Sequence, residues 1–226
     1  VVGAAGPSGI PLPQTQTEIC VAEAAKWLQA HAHRPADDTA PFCLSVHFDK
    51  PHFPLCPPAA YFERHAGKVR LPDVPADLPD HEVPFVQAAM RNNGEPDPRR
   101  LQRSAHERAL AAYFGCIEWV DDAIGRVLAT LEHLGLADNT LVIYSSDHGE
   151  MAGERGTWQK TVFFEASARV PLVMRWPQGI TPGRRTDALV GLIDLYPTFC
   201  DVAGAAIPDS CRGRSVQPLF AGAPFA

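Results

Sequence analysis

Thr140-Leu141-Val142-Ile143-Tyr144 runs directly into Ser145-Ser146-Asp147-His148-Gly149-Glu150, and this junction decides the fold class. A short, continuous apolar segment filled with β-branched and aromatic residues reads as a buried strand. Asp147 and His148 then stand just past a strand's carboxyl end, where open α/β sheets place their ligand sites. A carboxylate beside an imidazole at such a place can clamp a metal. Hard divalent cations take carboxylate oxygens, and imidazole suits several metals. Gly153-Glu154-Arg155-Gly156-Thr157-Trp158-Gln159-Lys160 follows, and Lys160 is placed to neutralise an anionic substrate near the clamp. Taken alone, the Asp-His pair is better served by a bland reading, with Asp147 capping a turn and His148 packing beside it.

Working outward, Pro41 to Phe48 (Pro-Phe-Cys-Leu-Ser-Val-His-Phe) has the composition of a second buried strand. It ends in Asp49-Lys50-Pro51-His52-Phe53-Pro54, a loop stiffened by its prolines. A stiff loop suits a side chain that must point at one atom, which makes His52 a candidate, and Lys50 can bind an anion. Singly, a satisfied surface histidine explains His52 better, and a solvated lysine explains Lys50 equally well. Apolar residues at helical spacing predict helices over Glu18–His31 and Ser104–Leu134. The second carries Tyr113, Ile117, Val120, Ile124, Val127, Leu128 and Leu131, with Gly135 as its stop. Val170–Trp176 reads as a strand, Asp187–Leu192 as a further strand, and Asp194–Val202 as a helix capped near Gly204. Strands alternating with helices predict an α/β class. Residues 1–17 read as a loop and Asp37-Asp38-Thr39 as a turn. Pro72, Pro75, Pro79, Pro84, Pro96 and Pro98 make 71–100 a long loop, taken to shape the substrate side.

The chain has 226 residues, 46% hydrophobic and 20% charged, enough for the core of one domain. A net charge of −6 argues against a nucleic-acid-binding surface. No apolar run is long enough for a membrane-spanning helix. The six cysteines match no CxxC pattern. Cys43, Cys116 and Cys200 sit in apolar segments and read as buried free thiols, which leans toward a reducing compartment. Asp121-Asp122 resembles a carboxylate pair, but adjacent helical residues point about 100° apart, so surface charge or contact with a neighbouring loop explains them better. Glu154 and Arg155 read as a local ion pair. Val1 opens a stretch with no basic leader, so it is not read as a signal peptide, and the chain is expected to begin within a longer protein; the compartment stays open.

Three ordered blocks together resemble the sulfatase family of the alkaline phosphatase superfamily. They are Phe42 to Pro54, with Pro57-Pro58 and Tyr61-Phe62 after it; Tyr113 to Leu128; and Ile143 to Lys160, continuing to Arg169-Val170-Pro171-Leu172. Asp194-Leu195-Tyr196-Pro197-Thr198-Phe199 is a weaker fourth match. The Asp-His form with Gly-Glu-Arg-Gly looks closest to choline-sulfatase-like, iduronate-sulfatase-like and phosphonate-monoester-hydrolase-like members. The resemblance implies an alkaline-phosphatase-like mixed sheet flanked by helices, incomplete at the N-terminus, with the chain as the later part of a single catalytic domain. It implies that Asp147 and His148 hold a divalent cation, calcium first, with manganese or magnesium as alternatives. It implies that His52 and Lys160 act in catalysis on the sulfate group and that Lys50 joins them in substrate binding. The family's nucleophile, a formylglycine made from a Cys/Ser-x-Pro-x-Arg motif, has no counterpart among these residues and is expected outside them. The implied substrate is a small-molecule sulfate ester, or a phosphate or phosphonate ester. A non-catalytic homologue is the rival expectation.

Overall fold

Thr15 starts the first helix: its hydroxyl accepts the Glu18 N–H at 3.4 Å, satisfying one of the donors that every helix start leaves open. The computed structural model describes residues 2–35, 37–38, 40–73, 84, 102–223 and 225. It divides into two units, Val1–Gly135 with His148–Val170, and Leu136–Asp147 with Pro171–Ala226.

The first unit is helical. α1 (Gln16–Ala32) and α2 (Ala59–His65) both pack on α3 (Arg103–His133), the long helix expected from the sequence. α3 does not bury the expected stripe as a whole. Val120 and Leu131 are buried, but Ile117 is 40% exposed, and the covered face is built from Ala109, Ala112, Gly115, Cys116, Trp119 and Ala123. The reason is close approach. A Cβ on Gly115 would lie 3.0 Å from the Pro57 ring and 3.1 Å from the Tyr61 backbone, so α2 can reach α3 only over a face of small residues. Glu18, one turn into α1, accepts the Trp119 Nε1–H at 3.1 Å and both Arg126 Nη groups at 2.7 Å, tying α1 to α3. Arg126 holds the Glu18 carboxyl below its ordinary value; the Trp119 bond adds to this, and burial opposes it. Asp121 and Asp122 are exposed, and Asp122 accepts the Tyr61 hydroxyl at 2.7 Å, as a surface reading requires.

The core of this unit is Val2, Ala5, Leu55, Ala109, Leu110, Ala112 and Trp158. Burying a side chain such as Leu55 contributes roughly 1.5–3 kcal/mol. Residues 1–17 thus do more than connect: Val2, in the 3-10 turn Val2–Ala4, and Ala5 just after it enter the core, a second 3-10 turn spans Leu12–Gln14, and the first turn of α1 begins at Gln16. The predicted buried strand at Pro41–Phe48 does not form. Exposure alternates along it with the period of a strand, but no ladder partner lies beside it among the described residues, and Cys43 is exposed. Cys116 and Cys200 are buried as expected. A short helix, α4 (Glu165–Ala168), completes this unit.

The second unit holds the only sheet among the described residues. β1 (Val142–Ser145) pairs antiparallel with β2 (Leu172–Arg175), with Tyr144 opposite Val173 and Ile143 opposite Met174. Both predicted strands are present, but β1 is half-buried rather than buried, because a two-stranded sheet leaves one face open: Tyr144 and Val173 are both exposed. The predicted strand at Asp187–Leu192 is absent. The chain is irregular to Gly191 and then makes a 3-10 turn, Leu192–Asp194. Buried Asp194 closes the turn: it accepts the N–H groups of Gly191 and Arg214, each at 2.8 Å. α5 (Leu195–Ala203) ends at Gly204 as expected, and α6 (Gln217–Phe220) closes the unit. The proline-rich stretch lies outside the described residues from 74 to 100, Pro84 excepted. No helix among the described residues is long and apolar enough to cross a membrane.

Candidate functional site

Two loops of the first unit carry the site. In the Asp49–Pro54 loop, the His52 N–H donates to the Asp49 carbonyl at 2.9 Å, and the Asp49 N–H donates to Gln16 Oε1 at 3.3 Å, tethering the loop to α1. The Lys50–Pro51 and Phe53–Pro54 peptides are cis. Lys50 turns inward. Its side chain is 11% exposed, and its ammonium donates to Asp49 Oδ2 at 3.0 Å and to the His52 carbonyl at 3.2 Å. These two bonds make Lys50 a holder of its own loop. The His52 ring stacks on Phe53 with centroids 4.1 Å apart, and its Nδ1 lies 2.8 Å from the Phe53 carbonyl.

The second loop runs from His148 to Val162. The Gly149 N–H donates to Ser167 O at 2.8 Å, and a Cβ at Gly149 would collide with the Ala166 carbonyl, so α4 and the loop can meet this closely only at glycine. The loop then folds back on itself: Met151 N–H donates to Gln159 O at 2.9 Å and Gly153 N–H to Thr157 O at 2.8 Å. Two buried side chains anchor it. Met151 packs with Val162, Phe164 and Ala166. Trp158, 4% exposed, enters the helical core and donates its Nε1–H to His106 Nδ1 at 2.9 Å. Arg155 lies over the Phe164 ring at 4.3 Å, a cation–π contact.

These anchors bring Lys160 to His52. Lys160 Nζ is 2.6 Å from His52 Nε2 and 5.3 Å from the Phe53 ring centroid. The contact fixes the tautomer. An ammonium only donates, so Nε2 is the acceptor and Nδ1–H donates to the Phe53 carbonyl. The His148 ring is 6.2 Å from that of His52, and its Nδ1 lies 2.8 Å from the Gly149 carbonyl. A carbonyl only accepts, so Nδ1–H donates to it, the orienting bond found in histidines that ligate a metal through the other nitrogen. Asp147 belongs to the other unit; its carboxylate is exposed, and it accepts the Ser146 hydroxyl at 3.4 Å. The donor chemistry of Asp147 and His148 suits a hard divalent cation. Among the described residues, no three or more His, Cys, Asp or Glu side chains gather as a metal cluster.

Glu150 is the residue that sequence reasoning passed over. It lies inside the quoted motif but matches no role there. Its Oε1 accepts the Ala152 N–H at 3.2 Å and also the Gln159 N–H. Burial pushes its carboxyl up, while these two amides and the neighbouring Lys160 and His148 pull it back. An acid between glycine and a methionine that must be buried was the available signal.

Chemically, the assembly presents an ammonium and an imidazole at one point, with a carbonyl-oriented second imidazole nearby. That is equipment for holding a tetrahedral oxyanion and stabilising charge on it. The sulfatase family model matches residues 6–205. The chain is 33% identical to an arylsulfatase of Clostridium perfringens, over 83% of this chain and 39% of that protein. It is 35% identical to a choline-sulfatase of Rhizobium meliloti, over 84% of this chain and 38% of that one. Its structure matches that of the phosphonate monoester hydrolase SpPMH from Silicibacter pomeroyi with a TM-score of 0.81 at 29% identity, over 100% of this chain and 47% of that one. The chain thus spans less than half the length of each of these proteins.

Proposed function

Since this chain belongs to the sulfatase family, with its alkaline-phosphatase-like α/β fold, we propose that it supplies the substrate-holding part of a sulfuric ester hydrolase site. The observation that carries the reading is the 2.6 Å contact between Lys160 Nζ and His52 Nε2, two residues 108 apart in sequence that meet outside any regular element. Lys160 donates to an oxygen of the transferring group or to the leaving oxygen. His52, held by Phe53 through both ring stacking and Nδ1, presents Nε2 to the same group. Lys50 holds the His52 carbonyl and so the loop. Asp147 and His148 hold a divalent cation, calcium first, with manganese or magnesium as alternatives. When bound, the cation neutralises charge on the ester oxygens. The Cys/Ser-x-Pro-x-Arg motif is not among these 226 residues, so they bind and stabilise rather than attack.

A second reading, hydrolysis of phosphonate monoesters or phosphodiesters, is favoured by the whole-chain likeness to a phosphonate monoester hydrolase. The test is a panel of 4-nitrophenyl sulfate, 4-nitrophenyl phenylphosphonate and bis(4-nitrophenyl) phosphate, with the protein expressed from its full coding sequence. The sulfate ester is expected to have the highest kcat/KM. A preference for either phosphorus ester transfers the assignment to the second reading, and no turnover of any ester supports a non-catalytic homologue.

A further inference from the structure

We propose that Glu150 is a positioning residue of this site: a single carboxylate oxygen closes the loop between His148 and Lys160 and thereby sets where the Lys160 ammonium points. The proposal rests on the reading of Lys160 as an anion ligand. Oε1 accepts the N–H groups of Ala152 and Gln159, residues on opposite arms of the loop. The Met151–Gln159 and Gly153–Thr157 backbone bonds continue the same closure, so Glu150 forms the rung nearest Lys160. The backbone on either side of Lys160 is left-handed, with φ of 71° at Gln159 and 108° at Thr161. Such values are disfavoured for side chains other than glycine, most of all for β-branched threonine, and persist only where the surroundings over-determine them. The Glu150 bond to the Gln159 amide is part of that constraint. Released, Gln159 is free to leave the left-handed region, and the rotation swings Lys160 away from His52.

The test uses E150A, E150D and E150Q in the protein from the full coding sequence, with two NMR readouts. These are hydrogen exchange at the Ala152 and Gln159 amides and the 15N shift of His52 Nε2, which reports the Lys160 contact. Glutamine retains an oxygen acceptor at the same reach, so E150Q is expected to keep both amides protected to within about threefold and the His52 shift unchanged. Aspartate is one methylene short. E150D and E150A are expected to lower protection about 10- to 100-fold and to move the His52 shift toward that of a ring without Lys160. The idea is overturned if E150D leaves both signals as in the parent, or if E150Q loses them as fully as E150A, which would make charge and not the acceptor responsible. Should E150A fail to fold, E150D and E150Q decide alone. K160A separates the two levels: it is expected to move the His52 shift without loss of Gln159 protection. If K160A also binds inorganic sulfate as the parent does, the anion-binding reading falls, whereas the loop-closing role of Glu150 is judged by the amides.

Discussion

Replacing Trp158 with alanine tests how the loop from His148 to Val162 is anchored. Trp158 is 4% exposed among Val2, Ala5, Leu55 and Leu110, and its indole N–H bonds His106 at 2.9 Å. Removing a buried indole costs about 3–5 kcal/mol from lost transfer energy and the cavity left behind. Roughly 0.5–1.5 kcal/mol of that belongs to the hydrogen bond. Against a typical domain stability of about 5–15 kcal/mol, the loss is large but survivable. Trp158→Phe keeps the aromatic filling and loses the bond and part of the ring, for about 1–2 kcal/mol. The assay is urea unfolding followed by far-ultraviolet circular dichroism, with unchanged denaturant slopes confirming that the midpoint shift is a stability shift. If W158A costs under about 1 kcal/mol, the indole is not a core anchor and the account of how Lys160 is placed is wrong.

Other consequences are as direct. Because Arg126 and Trp119 hold Glu18 below its ordinary value of 4.5, its contribution is present above that value and is lost as pH falls through the lower folded value. E18Q is therefore expected to cost about 1–2 kcal/mol at pH 7 and almost nothing near pH 2, measured by urea unfolding; an equal cost at both would remove the ion pair as the cause. Cys116 is fully buried, and burial pushes its thiol up to about 12, whereas Cys43 is exposed. Iodoacetamide at pH 8 is expected to modify Cys43 long before Cys116 in the native protein, as read by peptide mass spectrometry; equal rates would contradict the helix packing. Titration calorimetry of D147A and H148A with calcium and manganese is expected to show at least about tenfold weaker binding than the parent, and an unchanged affinity would take that residue out of the ligand set.

The sequence made some features plain and hid others for identifiable reasons. α1, α3 and α5 and both paired strands were readable because periodicity, caps and apolar runs are local signals. The segment at 41–48 carries strand composition and strand-like alternation, yet a strand is defined by a neighbour that composition does not supply. The apolar spacing told of the helix but not of the buried face of α3, where two helices close on it and close approach selects Ala, Gly and Cys over the larger apolar residues. At the end of the strand expected at 187–192, the Asp194 side chain takes the Gly191 N–H and turns the chain into a 3-10 turn instead. At the site, Asp147, His148, His52 and Lys160 were singled out from motif order. Spacing alone did not bring Lys160 to His52, because left-handed turns and the buried Trp158 set that path. Lys50 and Glu150 show the limit from both sides: each charge was visible, but only the fold reveals the loop bonds that each makes.

The central claim is that His52 and Lys160 act on one group. The most direct measurement is kcat/KM for 4-nitrophenyl sulfate in the protein from the full coding sequence, for the parent, H52A, K160A and the double variant. Each single change is expected to lower it about 10²- to 10³-fold, with the double variant well short of the product of the two, because groups acting on one transition state are not additive. Full turnover in either single variant, or losses that multiply, would show that the two side chains do not share a substrate.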